Sequence, residues 1–156
     1  MKLSSGIAKI PQMLELGVPV GLAVDGSAAM TAPTAGGNAR GLLLHRLNSS
    51  NQAPRRYDIL KMATAGSASL LGREKLGRIA PGMAADFFLV DLNRLELVGA
   101  QFDVTSMLCT VGLKSSVDYT VANGNVVVKE GKLTGIDEEK VTEEANALVT
   151  DYLNQP

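Results

Sequence analysis

The feature that most constrains the fold is a short apolar run at residues 18–24, which stops at Asp25-Gly26-Ser27. The run is continuous rather than alternating, and this is typical of a parallel strand buried on both faces. Such a strand needs parallel neighbours, and no second run of this kind occurs in the front half of the chain. We therefore expect strands from outside this sequence to complete the front half.

Three helices are predicted in the front half. Their apolar residues recur at three- and four-residue spacing, and Gly17 and Gly72 are candidate C-terminal caps. Gly66 is expected to break the third helix into two pieces. A loop of small residues and a polar linker separate the helices, which are predicted at residues 7–16, 37–47 and 55–71.

The back half, beyond residues 73–81, changes to a period near two, as strands do. Pro81-Gly82 is a turn signal, and Asn123-Gly124 predicts a hairpin because a type I′ turn needs positive φ at both central positions. A second turn is predicted at residues 130–132. The strands are predicted at residues 86–91, 117–122 and 125–129, with a short helix at residues 103–109. Asp137 is a candidate N-cap for a final amphipathic helix through Leu153.

Charge and composition exclude several classes of partner and compartment. The net charge is −1 and no basic stripe stands out, which argues against nucleic acid and anionic membranes as partners. No apolar stretch approaches the roughly 20 residues that span a bilayer. Cys109 is the single cysteine, so no intrachain disulfide can form. A cytoplasmic protein is expected.

The chain has a single histidine, His45. Hydrolytic zinc and iron sites usually take several histidine or carboxylate ligands. A complete histidine-based metal site therefore cannot be built from this chain alone. We expect His45 to be a surface or satisfied helical residue and Cys109 to be a buried, unreactive thiol.

Four segments together resemble the amidohydrolase superfamily. Residues 17–28 (GVPVGLAVDGSA) are similar to the last barrel strand of its cytosine deaminase-like and chlorohydrolase-like branch, and residues 63–72 (ATAGSASLLG) to the helix after the barrel. Residues 76–91 and 117–132 are similar to the return of these enzymes into a C-terminal β-sandwich. The resemblance covers nearly the whole chain in order, and it is nearest to 8-oxoguanine deaminases and hydroxyatrazine-type aminohydrolases.

The resemblance implies a fold that this chain contains only in part. Family members have a (β/α)₈ barrel beside a small composite β-sandwich, and the barrel alone takes about 250 residues. This chain would supply the last barrel strand and following helices at residues 1–78, part of the sandwich at 79–133, and a C-terminal helix at 134–156. The His-x-His pair and the other histidine ligands would belong to an upstream segment.

The resemblance implies a catalytic and metal-binding role for Asp25. In such enzymes the carboxylate that ends the eighth strand binds one zinc or iron ion and contacts the metal-bound water. A divalent metal lowers the pKa of bound water, and a nearby carboxylate can carry its proton to a leaving amine. Ser27 is a candidate for substrate binding, with helix or loop capping as the alternative. The implied substrate is a nitrogen heterocycle such as 8-oxoguanine, guanine, cytosine or a triazine.

Two departures and two alternatives accompany this interpretation. Relatives continue the Asp-Gly-Ser segment with a polar pair where this chain has Ala29-Met30-Thr31, and they often place a glutamate before Arg40. The isolated chain is expected to bind no metal and to be inactive, and the intact protein to be a homo-oligomer. One alternative is a non-catalytic truncated module that serves association. The other is a dechlorinating or imidazolone-type hydrolase of the same superfamily.

Overall fold

The computed structural model describes residues 6–23, 36–49, 54–113 and 116–154, with the backbone only for residues 36–40. Within these ranges the front half is helical and the back half holds one antiparallel sheet and a terminal helix. No helix in the described part of the chain is long and apolar enough to cross a membrane.

The helices of the front half lie close to their predicted positions. Helix α1 spans Ile10–Glu15 and is shorter than predicted, with proline in its first turn, where a missing N–H costs no helical hydrogen bond. Helix α2 spans Gly36–Asn48 and helix α3 spans Arg56–Lys61. The chain then passes through a π-helical turn at Met62–Gly66 into helix α4 at Ser67–Leu70. The predicted helix is thus divided into two α-helical pieces, and Gly66 ends the π-helical turn between them while its backbone keeps helical dihedrals.

The predicted barrel strand has no strand partner among the residues that the structure describes. Residues 18–23 form no strand ladder with any described residue, and Val18 is 39% exposed. A parallel strand acquires its hydrogen bonds and its burial from neighbouring strands. The described residues contain no such neighbours, so both the pairing and the two-sided burial are missing here.

The back half forms a four-stranded antiparallel sheet in the order β1-β2-β3-β4, with strands β1 at Phe87–Leu89, β2 at Tyr119–Ala122, β3 at Asn125–Lys129 and β4 at Lys132–Leu133. The β2–β3 register shifts between Thr120 and Val121, which pair with Val128 and Val126, so that Val127 of strand β3 is the extra residue. Asn123 and Gly124 have φ of 48° and 79°, which confirms the predicted hairpin with positive φ at both turn positions.

The remaining elements are two 3₁₀ turns and two helices. Two short 3₁₀ turns at Leu95–Leu97 and Ala100–Phe102 precede helix α5 at Val104–Thr110. Helix α6 spans Glu138–Leu153, and the Asp137 carboxylate accepts a hydrogen bond from the Lys140 N–H, which confirms the predicted N-cap.

Two small hydrophobic clusters meet at helix α5. Cys109 belongs to a cluster with residues of α1, α2 and the α3–π segment, and Met107 belongs to a cluster with Leu97 and Leu113. The first cluster comprises Ile10, Leu42, Ile59, Met62 and Cys109. Helix α5 therefore joins the helical half to the loops that lead into the sheet.

Candidate functional site

The described residues nearest to Asp25 in the chain are held by the π-helical turn. The Leu22 N–H donates to the Met62 carbonyl at 3.1 Å. The Ser67 hydroxyl lies 2.8 Å from the Leu22 carbonyl oxygen and 2.9 Å from that of Met62. We call these three residues the Leu22 anchor. Both backbone polar groups of Leu22 thus have partners in the helix 40 or more residues later in the chain.

The π-helical turn directs the Met62 carbonyl and the Ser67 hydroxyl toward Leu22. The Ser67 N–H donates to the carbonyl of Met62, five residues earlier, and to that of Thr64, rather than to that of Ala63. The Met62 oxygen therefore faces the Ser67 N–H and the Leu22 N–H at once. A carbonyl oxygen has two lone pairs, and these two donors use both.

Two glycines allow the backbones to approach. A Cβ on Gly66 would lie 2.4 Å from the Val20 carbonyl oxygen, and a Cβ on Gly21 would lie 2.9 Å from the Ser67 Cα. Any side chain at these positions would force the segment away from the helix. The hydrogen bonds of the Leu22 anchor depend on this close contact between the two main chains.

The predicted site residues lie beyond this anchor. Asp25 and Ser27 fall outside the described residues, as do Ala29, Met30 and Thr31. Asp25 follows Leu22 by three positions in the chain. The metal and substrate roles of Asp25 and Ser27 stay predictions.

His45 takes no part in a cluster of ligands. It is buried, 8% exposed, in helix α2, and burial lowers the pKa of its imidazole, which favours the neutral form. Across the described ranges, no group of three or more His, Cys, Asp or Glu side chains could hold a metal ion. The residues that the structure describes therefore do not fit the metal that the resemblance implies.

Cys109 is a buried thiol, as predicted. Its Sγ–H donates to the Arg56 carbonyl at 3.2 Å, and burial raises the pKa of the thiol. A raised pKa leaves little thiolate at neutral pH. Cys109 therefore serves the packing between α5 and α3 rather than nucleophilic chemistry.

An ion pair closes the loop after strand β1. Arg94 Nη2 donates to Asp118 Oδ1 at 2.7 Å, and the Asp91 N–H donates to Asp118 Oδ2 at 2.6 Å. The Asp91 N–H and the Arg94 guanidinium both stabilise the charged carboxylate and hold the pKa of Asp118 below its usual value. The bond from Asp91 also explains why strand β1 ends at Leu89 rather than at the predicted residue 91, since that N–H is taken by a side chain.

Sequence reasoning missed Ser67 and Asp118. Ser67 lies in a run of small residues at 63–69 whose composition is that of an ordinary helix. Only the adjacent glycine, Gly66, indicates close packing there. Asp118 stands at the start of a predicted strand, where an aspartate disfavours strand structure. That local conflict was the available signal.

Comparison with known proteins gives a family and two groups of relatives. The sequence model of the Amidohydrolase family matches residues 1–127. Hydroxydechloroatrazine ethylaminohydrolase of Pseudomonas sp. (strain ADP) is 42% identical over 146 residues, which are 91% of this chain and 30% of that enzyme. The 5-methylthioadenosine/S-adenosylhomocysteine deaminase of Pelotomaculum thermopropionicum is 36% identical over 157 residues, which are 99% of this chain and 36% of that enzyme.

A solved structure agrees with the described architecture. Atrazine chlorohydrolase TrzN from Arthrobacter aurescens TC1, complexed with zinc, superposes with a TM-score of 0.85 at 30% identity. The match covers 95% of this chain and 33% of that one. The chain therefore spans about a third of the length of the relatives that it matches.

Proposed function

This chain belongs to the Amidohydrolase family, and we propose that it forms the C-terminal part of an aminohydrolase that removes an amino group from a nitrogen heterocycle. The observation that carries the proposal is the 42% identity with hydroxydechloroatrazine ethylaminohydrolase across 91% of this chain. The deaminase from Pelotomaculum supports the same reaction class on a purine ring. The substrate class we propose is a triazine or purine that carries an exocyclic amine.

The surface of the chain supports a larger assembly. A folded monomer of 156 residues exposes roughly 7,500 Å² of accessible surface, whereas this chain exposes 11552 Å². Large apolar side chains contribute to this excess on both halves. Leu16 is 80% exposed in the front half, and Phe88 on the sheet and Leu148 on helix α6 are 46% and 70% exposed. Covering such surface is what the upstream two thirds of a family member would do.

Asp25 is the residue that we assign to the metal site of the intact enzyme. We propose that its carboxylate is one ligand of a single zinc or iron ion and that Ser27 contacts substrate. The described residues do not form a metal site, and we assign the remaining ligands to the upstream part. The bound metal would supply an activated water, and the contribution of this chain is to hold one carboxylate at the end of the segment that the Leu22 anchor fixes.

The test is an Asp25→Asn substitution in the intact enzyme that carries this chain as its C-terminal part. Asparagine keeps the size of the side chain but removes the charge and the proton acceptor. We expect turnover of a heterocyclic amine to be abolished while the far-ultraviolet circular dichroism spectrum is unchanged. Glu15→Gln removes an exposed carboxylate at the end of helix α1 and is the matched control, expected to retain parent activity. Turnover by Asp25→Asn near the parent level would remove Asp25 from the mechanism.

A dechlorinating hydrolase is the second candidate. The observation that favours this candidate is the 30% identity and the TM-score of 0.85 with atrazine chlorohydrolase. The two reactions release different products from triazines that carry both leaving groups. Ammonia or an alkylamine in the product mixture supports the aminohydrolase, whereas chloride release supports the chlorohydrolase.

A further inference from the structure

We propose that Ser67 is a positioning residue that holds the segment preceding Asp25 through the carbonyl of Leu22. The proposal rests on the proposed function, because it assigns Ser67 a catalytic consequence only through Asp25. Ser67 itself does not need to touch substrate or metal. Its role is to fix the position of Leu22 relative to the π-helical turn and helix α4.

The hydrogen-bond geometry assigns the hydroxyl proton. The Met62 oxygen already accepts from the Leu22 N–H and from the Ser67 N–H, which it shares with the Thr64 oxygen. The Ser67 hydroxyl has one proton, and the Leu22 oxygen at 2.8 Å is the nearer acceptor. We therefore assign the hydroxyl as donor to Leu22. Ser67 thus forms the second of the two hydrogen bonds that hold Leu22.

The two bonds constrain both the position and the rotation of the Leu22 peptide groups. A single bond from the Leu22 N–H to Met62 would leave the chain free to pivot about it. The bond from Ser67 to the carbonyl removes that freedom. Only two residues lie between Leu22 and Asp25, so we expect a pivot at Leu22 to alter the placement of the Asp25 carboxylate. A misplacement of about 1 Å at a reacting group can cost about 100-fold in rate.

The anchor also explains the π-helical turn. In an uninterrupted α-helix the Met62 oxygen would accept from Gly66, and the Ser67 N–H would bond to Ala63. The extra residue in the turn sets Ser67 above Met62, so that the side chain and the carbonyl converge on Leu22. Single π-helical turns within α-helices are frequent at functional sites for this kind of local re-aiming.

The test of the catalytic consequence uses the intact enzyme with Ser67→Ala, Ser67→Cys and Ser69→Ala. Alanine removes the donor, cysteine keeps the shape with a weak donor, and Ser69 is an exposed serine of the same helix. We expect Ser67→Ala to lower kcat by roughly 10- to 100-fold with KM within about threefold of the parent. Ser67→Cys should lie between Ser67→Ala and the parent, and Ser69→Ala should equal the parent. A kcat for Ser67→Ala within twofold of the parent, or a loss confined to KM, would overturn the proposal.

A second measurement separates the anchor from the proposed function. In the 156-residue chain, Ser67→Ala should speed hydrogen exchange of the Leu22 amide by at least tenfold, while exchange of the Val128 amide in the sheet is unchanged. Unchanged exchange at Leu22 overturns the anchor whatever the enzyme does. A different pair of results would be faster Leu22 exchange in Ser67→Ala together with an intact parent enzyme that turns over no heterocyclic amine. This pair would overturn the proposed function, and the catalytic role of Ser67 with it, but would leave the anchor in place.

Discussion

Replacing Gly66 with alanine tests the close contact between Gly66 and Val20, on which the Leu22 anchor depends. The added Cβ would lie 2.4 Å from the Val20 carbonyl oxygen, and ordinary contact begins at 3.4 Å, so the two backbones must separate by 1.0 Å. The Leu22-to-Met62 and Ser67-to-Leu22 bonds, now 3.1 and 2.8 Å, would then exceed hydrogen-bond length. Two lost bonds cost about 2 kcal/mol, and residual overpacking adds about 1–3 kcal/mol.

Helix propensity opposes this loss. Alanine is favoured over glycine in a helix interior by about 1 kcal/mol. The net expectation is that Gly66→Ala lowers the free energy of unfolding by about 2–4 kcal/mol. The assay is urea unfolding followed by circular dichroism, with the slope of the transition compared between variants.

Gly41→Ala is the matched control for Gly66→Ala. Gly41 lies inside helix α2, and the nearest described atom to an added Cβ is Ile59 Cδ1 at 3.9 Å, an ordinary contact. Gly41→Ala should therefore raise the free energy of unfolding by about 0.5–1 kcal/mol. If Gly66→Ala is as stable as the parent, or moves with Gly41→Ala, the close approach of Val20 to the π-helical turn is refuted.

Two further predictions concern the ion pair and the thiol. The pKa of Asp118 is lowered in the folded state by the Asp91 N–H and Arg94, so its contribution to stability is present above the unfolded pKa and is lost as pH falls through the folded value. Asp118→Asn should accordingly be less stable than the parent in urea at pH 7, and the gap should shrink toward pH 3; a gap that stays constant would contradict the prediction. Cys109 is buried with a raised pKa, so a thiol reagent should label it only at the rate at which the chain opens, and that rate should rise with urea. Rapid labelling in the absence of urea would contradict the buried position.

Features set by neighbouring residues were predictable from the sequence. The Asn123-Gly124 hairpin follows from the need for positive φ at both turn positions, and the Asp137 cap from the chemistry of a free helix N–H. Glu130 and Gly131 repeat the positive-φ pair at the predicted second turn. In each case the decisive interaction lies within a few residues of the chain.

Features set by distant contacts were not predictable. The Leu22 anchor joins residues 45 positions apart, and the π-helical turn has the composition of an ordinary helix. Strand β1 ends early because Asp118, 27 residues away, takes the Asp91 N–H. The described residues form no metal site. The family and the Asp25 hypothesis therefore came from the resemblance and not from contacts within the chain.

The measurement that tests the central claim most directly is the metal content of the purified 156-residue chain beside that of the intact enzyme, by mass spectrometry. We expect about one zinc or iron per intact enzyme and far less than one per isolated chain, because the proposed ligand Asp25 is a single ligand and a mononuclear site needs several. A stoichiometric metal in the isolated chain, together with release of an amine from a heterocycle, would contradict it.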